Sequence, residues 1–188
     1  QRLGEISFHT PRKRLSMQNL NKVKRKGKEK ISICMMVQDV EDTLELCLSS
    51  VKEFADEIVI VDGGSKDNTF NIAQRFTEKI IDHKWPDNHS EQRNIYLQEA
   101  EGDWIFEIDA DEFVPPEFAK YIRKLVNYND FVSYWFPRHW LVSEEGLYYV
   151  KNEWLHPDSQ HRLYRNKKEL YYKGKVHEEL CGLRGKAA

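Results

Sequence analysis

From Ile31 to Ile108 short apolar runs alternate with segments of helical period, and this alternation limits the fold more than any other feature. Ile31-Ser-Ile-Cys-Met-Met-Val37 has the length and near-continuous apolar character of a strand buried on both faces. Leu44, Cys47, Leu48, Val51 and Phe54 then recur at helical spacing. Glu41 and Asp42 are expected in the first turn of that helix, where its dipole favours acids. Glu57-Ile-Val-Ile-Val61 is a second buried strand, stopped by Gly63-Gly64, and Ser65 or Asp67 is placed to cap a short helix through Phe76. Lys79 to Asp82 makes a short third strand. Ser90 starts a helix that Gly102 ends near Ala100, and Asp103-Trp-Ile-Phe-Glu-Ile108 is a fourth strand. Strand–helix units of about 25 to 30 residues predict a parallel sheet with helices on both faces. Ligands on such sheets bind beyond the carboxyl ends of the strands, so the loops at Gln38, Asp62 and Asp109 should gather on one edge.

Past Glu117 a helix through about Val126 gives way to aromatic, β-rich sequence at Phe131–Trp140, Leu147–Val150 and His161–Tyr164. These segments are expected to be mixed or antiparallel strands that complete the sheet and wall the cleft. At 188 residues, 40% hydrophobic and 32% charged, the chain is sized for one domain with a real core. No apolar run approaches the ~20 residues of a membrane-spanning helix. The polar, then basic start has no apolar stretch behind it and does not resemble a secretion signal. Gln1 in place of Met is what a piece of a longer chain would show.

Cys34, Cys47 and Cys181 are odd in number and widely spaced, with no Cys-x-x-Cys and no tight Cys/His cluster. A structural zinc site is not expected, and a reducing, cytoplasmic setting is. The net charge of −2 is unevenly shared: residues 1–30 hold ten Lys/Arg and two Asp/Glu, which leaves −10 for the remainder. Residues 1–29 form a basic segment beside a single folded domain over 30–188. That segment is either a solvated tail or a tether to an anionic membrane surface, where each basic residue contributes about 1 kcal/mol. Nucleic acid is not an expected partner, because the acidic folded part would repel phosphate backbones.

Asp109-Ala-Asp111-Glu112 places three carboxylates in four positions directly after a buried strand. In extended chain, residues two apart share a side, so Asp109 and Asp111 can converge. Acids that close must raise a pKa or recruit a cation. Hard oxygen donors suit Mg²⁺ or Mn²⁺, which would bring a diphosphate with it. Gln38-Asp-Val-Glu-Asp42 carries no glycine and three acids, which excludes a Gly-x-Gly-x-x-Gly dinucleotide turn and a P-loop there. Phosphates bound at this edge would need the metal.

Val61-Asp-Gly-Gly-Ser-Lys-Asp-Asn-Thr69, Gln92-Arg-Asn94 and Gly102-Asp-Trp-Ile-Phe-Glu-Ile-Asp-Ala-Asp-Glu112 resemble the nucleotide-binding half of family-2 glycosyltransferases, which have the GT-A fold. Pro157-Asp-Ser-Gln-His-Arg162 and Val176-His-Glu178 resemble the branch with lipopolysaccharide-core glucosyltransferases and relatives that carry helical repeats. The likeness spans roughly Ile31 to Leu180. It implies an α/β, Rossmann-like, mostly parallel sheet and a nucleotide-sugar donor with a saccharide or lipid-linked acceptor. By resemblance, Val37, Gln38, Asp62 and Gly63 line the base and ribose pocket and Arg93 lies near the nucleotide. Asp109 approaches ribose and metal, and Asp111 ligates the metal. Many relatives have Asp-Asp-Gly-Ser where this chain has Asp62-Gly63-Gly64-Ser65, which leaves the base open.

His177 is a candidate further metal ligand, and Glu178 a candidate general base with Asp158 as its competitor. Gln160 and Arg162 alternate along an extended segment and are candidates to face the acceptor. Trp135, Trp140, Trp154, Tyr148 and Tyr149 are either core and cleft-wall aromatics or sugar-stacking platforms. His83, His89, His139, His156 and His161 show no ligand spacing. The mechanism these residues suggest is a single displacement with inversion, since no nucleophile elbow is present. Nucleotidyl transfer and non-catalytic carbohydrate binding are the alternatives.

Overall fold

The computed structural model describes residues 28–128, 130–139 and 158–188. Six strands form one sheet in the order β3-β2-β1-β4-β6-β5. They are β1 (Ile31–Val37), β2 (Glu57–Asp62), β3 (Ile80–Asp82), β4 (Trp104–Glu107), β5 (Ser133–Arg138) and β6 (Asp158–Arg165). β1 pairs in parallel with β2 and β4, and β2 with β3, whereas β6 is antiparallel to both β4 and β5. Strands β7 (Tyr171–Lys173) and β8 (Glu179–Cys181) make a separate antiparallel pair. The α/β fold with a largely parallel centre and an antiparallel second half is the one expected. The segment Leu147–Val150, with Trp140, Tyr148, Tyr149, Trp154 and His156, lies outside the described residues, as does nearly all of the basic segment.

Helices α1 (Leu44–Val51), α2 (Thr69–Gln74), α3 (His89–Glu99) and α4 (Pro116–Leu125) cover the sheet. On one face Ile31, Ile33, Met35 and Val37 of β1 meet Leu44, Cys47, Leu48 and Val51 of α1, Ile72 of α2, and Ala119 and Ile122 of α4. On the other, Cys34, Val59 and Ile105 meet Tyr96 of α3 and Tyr172 of β7. Both faces are therefore dry, which is why β1 and β2 are apolar apart from Ser32 and the terminal Glu57 and Asp62. Truncating Leu44 or Leu48 to alanine would cost about 2–5 kcal/mol. Among the described residues no helix is long and apolar enough to cross a membrane.

The first loop departs from expectation. α1 begins at Leu44 rather than at Glu41 and Asp42, and Glu41, with Asp39, serves the neighbouring loop. Asp39 accepts from the amides of Lys66 (2.6 Å) and Asp67 (3.4 Å), and Glu41 accepts from Asn68 at 2.8 Å. Asp67 in turn accepts from Glu41 N–H at 3.0 Å and from Thr69 N–H at 2.9 Å. The amides leading into α2 are thus met by carboxylates, and no anion is needed there. Ser65 caps nothing; its hydroxyl lies between Asp39 N–H (3.0 Å) and the Asp62 carboxylate (2.6 Å).

Candidate active site

The strand order reverses at β1: β2 and β3 lie on one side of it and β4 on the other. The crevice between the carboxyl ends of β1 and β4 is the switch point where open α/β sheets bind ligands. Val37 ends β1 in register with Asp62, and Gly63 N–H donates to Val37 O at 2.8 Å. A side chain at Gly63 would press on Gln38 at 3.2 Å, and Gly64 needs its φ of +89. The turn after β2 therefore stays flat against Gln38. Asp62 is 4% exposed and accepts from the Ser65 amide at 3.1 Å as well as from its hydroxyl. Val37, Gln38, Asp62 and Gly63 do come together at this edge.

Across the crevice Asp109-Ala-Asp111-Glu112 is a turn, not extended chain. Glu112 N–H closes on Asp109 O at 3.0 Å, and Asp109 N–H donates to the Glu112 carboxylate at 3.2 Å. Ala110 is buried, while Asp111 is exposed and Asp109 partly covered. Cys47 also donates to Asp109 O, at 3.5 Å. Its thiol is pushed up to about 12 by burial first and by Glu112, Asp109 and Asp111 next, which keeps it protonated as that donor.

Arginines neutralise much of this acidity. Arg162 lies 2.6 Å from both Asp109 Oδ2 and Glu112 Oε1. Arg93, 8% exposed, pairs with Glu107, donates to Glu178 at 2.5 Å and stands 3.7 Å from Asp109. Arg138 bonds Asp158 at 2.9 Å and reaches within 3.5 Å of Glu112. Burial pushes the Asp109 carboxyl up, but Arg162, Arg93 and Arg138 outweigh it and hold the group below the usual carboxylate range. Glu178 is also lowered: burial opposes, while its own backbone N–H and Arg93 prevail.

The motif Gln92-Arg-Asn94 explains how Glu178 gets there. Gln92 donates to His83 O at 2.9 Å and fixes the exit from β3. Asn94 exchanges two hydrogen bonds with the Tyr172 backbone, at 3.0 and 2.7 Å, and so clamps β7 on α3. His89 N–H and the Ser90 hydroxyl bind the carbonyls of Lys175 and Gly174. The chain before Glu178 is thereby tied to the start of α3, one turn from Arg93.

Gln160 and Arg162 do not alternate to one face. Tyr134 faces Leu163 but Trp135 faces His161, so Arg162 is the extra residue of a bulge. Bulges re-aim side chains, and this one sends Arg162 to the Asp109 turn. Gln160 instead donates to Asp158 at 2.6 Å. Sequence reasoning passed over Glu107 and Arg138. Glu107, 4% exposed, accepts from the hydroxyls of Tyr172 and Tyr164 (3.3 Å for the latter) besides pairing with Arg93. A lone acid inside the apolar strand Trp104-Ile-Phe-Glu107 was the signal that could have found it.

Among the described residues no three His, Cys, Asp or Glu side chains form a ready metal site. His177 is exposed in a left-handed turn with φ +56, and Asp109 is committed to Arg162. The donor chemistry nonetheless suits Mg²⁺ or Mn²⁺, which keep several waters and take one or two carboxylates plus phosphate oxygens. Five carboxylates (Glu107, Asp109, Glu112, Asp158, Glu178) face three guanidiniums (Arg93, Arg138, Arg162), and exposed Asp111 adds to the excess.

Comparison with known proteins agrees with this geometry. The family described as Glycosyl transferase family 2 matches residues 32–185. A TPR repeat-containing protein of Synechococcus elongatus is 30% identical over 148 residues, which are 79% of this chain and 34% of that protein. The SPbeta prophage-derived glycosyltransferase SunS of Bacillus subtilis is 30% identical over 151 residues, with the same coverage of each. The chain therefore spans about a third of the length of these curated relatives. The crystal structure of S. aureus TarS 1-349 in complex with UDP-GlcNAc shares the fold, with a TM-score of 0.57 at 19% identity over 77% of this chain and 48% of that one. The chain belongs to glycosyl transferase family 2, with the GT-A fold.

Proposed function

We propose that this chain transfers a sugar from a nucleotide-sugar donor to a saccharide or lipid-linked acceptor, with inversion. The observation that carries the reading is the Asp109–Glu112 turn at the β1/β4 switch point, where acids outnumber arginines and Asp111 faces solvent. Val37, Gln38, Asp62 and Gly63 would hold base and ribose, and Arg93 and Asp109 the remainder of the nucleotide. Asp111 and Asp109 would hold Mg²⁺ or Mn²⁺, with His177 joining only if its loop moves. When bound, the ion supplies charge neutralisation to the departing diphosphate.

Glu178 is the first choice of general base. Arg93 keeps its carboxyl ionised, ready to take the proton of an acceptor hydroxyl. Asp158, paired with Arg138 and Gln160, is the second. The UDP-GlcNAc seen with TarS supports a nucleoside diphosphate sugar as the donor class. A thermal-shift screen of nucleoside diphosphates and their sugars, with and without Mn²⁺, tests donor class and metal dependence together. Stabilisation by at least one of them, larger with Mn²⁺, is expected; no shift with any of them would defeat the reading.

A further inference from the structure

The described tryptophans differ in what surrounds them. Trp104 is fully buried, with Arg165 over its ring at 4.3 Å. Trp85 meets His89 edge-on at 4.8 Å. Trp135 alone of the three is an exposed large hydrophobic side chain, at 45%. Its indole lies nearly flat on His161, with centroids 4.8 Å apart and planes 14° apart. The two residues face each other across β5 and β6, and the backbone amide of Trp135 donates to Ala188 O at 2.8 Å. One face of the indole is therefore backed by the imidazole, and the exposed area belongs to the rest of the ring.

The bulge at Arg162 also decides where this stack lies. His161 meets the ring of Tyr164 at 5.5 Å, on the sheet face that carries α3 and β7. The Tyr164 hydroxyl lies 3.2 Å from that of Tyr172, the Tyr172 ring carries Arg93 at 5.5 Å, and Arg93 holds Glu178. On the other side, the residue next to His161 is Arg162, which grips Asp109. Trp135 is thus on the Glu178 side of the sheet, in a strand whose partner reaches the nucleotide edge. Burial lowers His161 to about 4, so the support beneath the indole is uncharged at neutral pH.

Resting on the transferase reading, we infer that the open face of Trp135 is the acceptor subsite: a pyranose ring stacks its apolar C–H face on the indole, beside the cleft that holds Glu178. A flat, rigid, half-exposed aromatic ring offers a sugar contact area with little rotamer entropy left to lose. Among the described residues Tyr171 (52%) and Phe70 (37%) are also exposed aromatic rings, but of these three only Trp135 lies stacked on a second ring.

The test uses the ¹⁵N-labelled chain with Mg²⁺ and UDP. The indole N–H signal of Trp135 is identified by its loss in Trp135→Phe. Methyl β-D-glucopyranoside, methyl β-D-galactopyranoside, methyl α-D-mannopyranoside and methyl N-acetyl-β-D-glucosaminide are then each added to about 50 mM, the range of a single-sugar contact. At least one should shift the Trp135 signal saturably while the buried Trp104 signal stays. Read from the backbone amide signals that shift with it, the affinity for that sugar should fall about tenfold in Trp135→Ala and much less in Trp135→Phe. A Trp135 signal unmoved by all four sugars overturns the inference. UDP binding, followed on the same samples, separates the two readings. If UDP binds and Trp135 does not respond, only the platform fails. If Trp135 responds while UDP, GDP, CDP and ADP all fail to bind, the platform stands as a sugar site and the donor reading fails.

Discussion

The Nε of Arg93 donates to Oε1 of Glu178 at 2.5 Å, joining residues 85 positions apart in the chain. This contact ties the candidate base to the helix that also flanks the nucleotide edge. Glu107, Tyr164 and Tyr172 fix the far end of the same guanidinium's surroundings, so Arg93 has little freedom to leave. Fixing a donor and an ionised carboxylate before substrate arrives is what electrostatic preorganisation requires.

If Glu178 takes the acceptor proton, Glu178→Gln lowers kcat about 10²- to 10⁴-fold and leaves nucleotide affinity close to wild type. Asp158→Asn should cost far less. Steady-state transfer rates together with calorimetric nucleotide binding check both. The reverse ranking would move the base to Asp158.

Glu107→Leu should destabilise the fold by about 3 kcal/mol, because it strips one carboxylate from a buried guanidinium and removes the acceptor that two tyrosine hydroxyls share. Glu107→Gln, which still accepts from the tyrosines, should lose less. Urea denaturation of the two variants measures the difference.

Asp39 holds two amides of the second loop from a backbone with φ +49. Asp39→Ala should cost about 1.5–3 kcal/mol, the range for hydrogen bonds to a charged group. Asp39→Asn keeps an acceptor and tolerates the left-handed backbone, so it should lose less. Melting temperatures of the pair check the ordering.

Asp56 gives the clearest pH dependence. Burial works against its charged form, but Arg123, the Ile31 amide and Lys28 hold the carboxyl at about 2. Its folded pKa lies below the unfolded value of about 3.9, so its contribution is complete above that pH and is lost as the pH falls toward 2. Solvent screening at this partly exposed site brings that contribution to about 1 kcal/mol. The stability gap between wild type and Asp56→Asn, measured by urea melts, should be full at pH 6 and should shrink steadily below pH 4.

Much of this was written in local pattern. Strands β1, β2 and β4 were legible because both faces are buried and their apolar runs end at polar Gln38, Asp62 and Asp109. The turn after β4 was legible as an acidic site, but its shape was not. Glu112 closes it through its own amide and side chain, a detail that alternation cannot predict. Arg162 was misplaced because the bulge opposite Trp135 depends on how two strands distant in sequence pair. Glu41 was assigned to the first turn of α1 because spacing shows a helix start but not which loop lies alongside it. Arg138 carried no local signal, since an arginine at a strand end is ordinary until Asp158 and Glu112 are brought to it.

The central claim is that the turn bearing Asp109 and Asp111 binds a divalent ion together with a diphosphate. Isothermal titration calorimetry tests it most directly, with the nucleoside diphosphate that gives the largest thermal shift, in Mn²⁺ and then in EDTA, on wild type and Asp111→Ala. Wild type should bind about tenfold or more tightly with Mn²⁺, and Asp111→Ala should bind weakly in both. Equal wild-type affinity in Mn²⁺ and EDTA, or undiminished Mn²⁺-dependent binding by Asp111→Ala, would contradict the account.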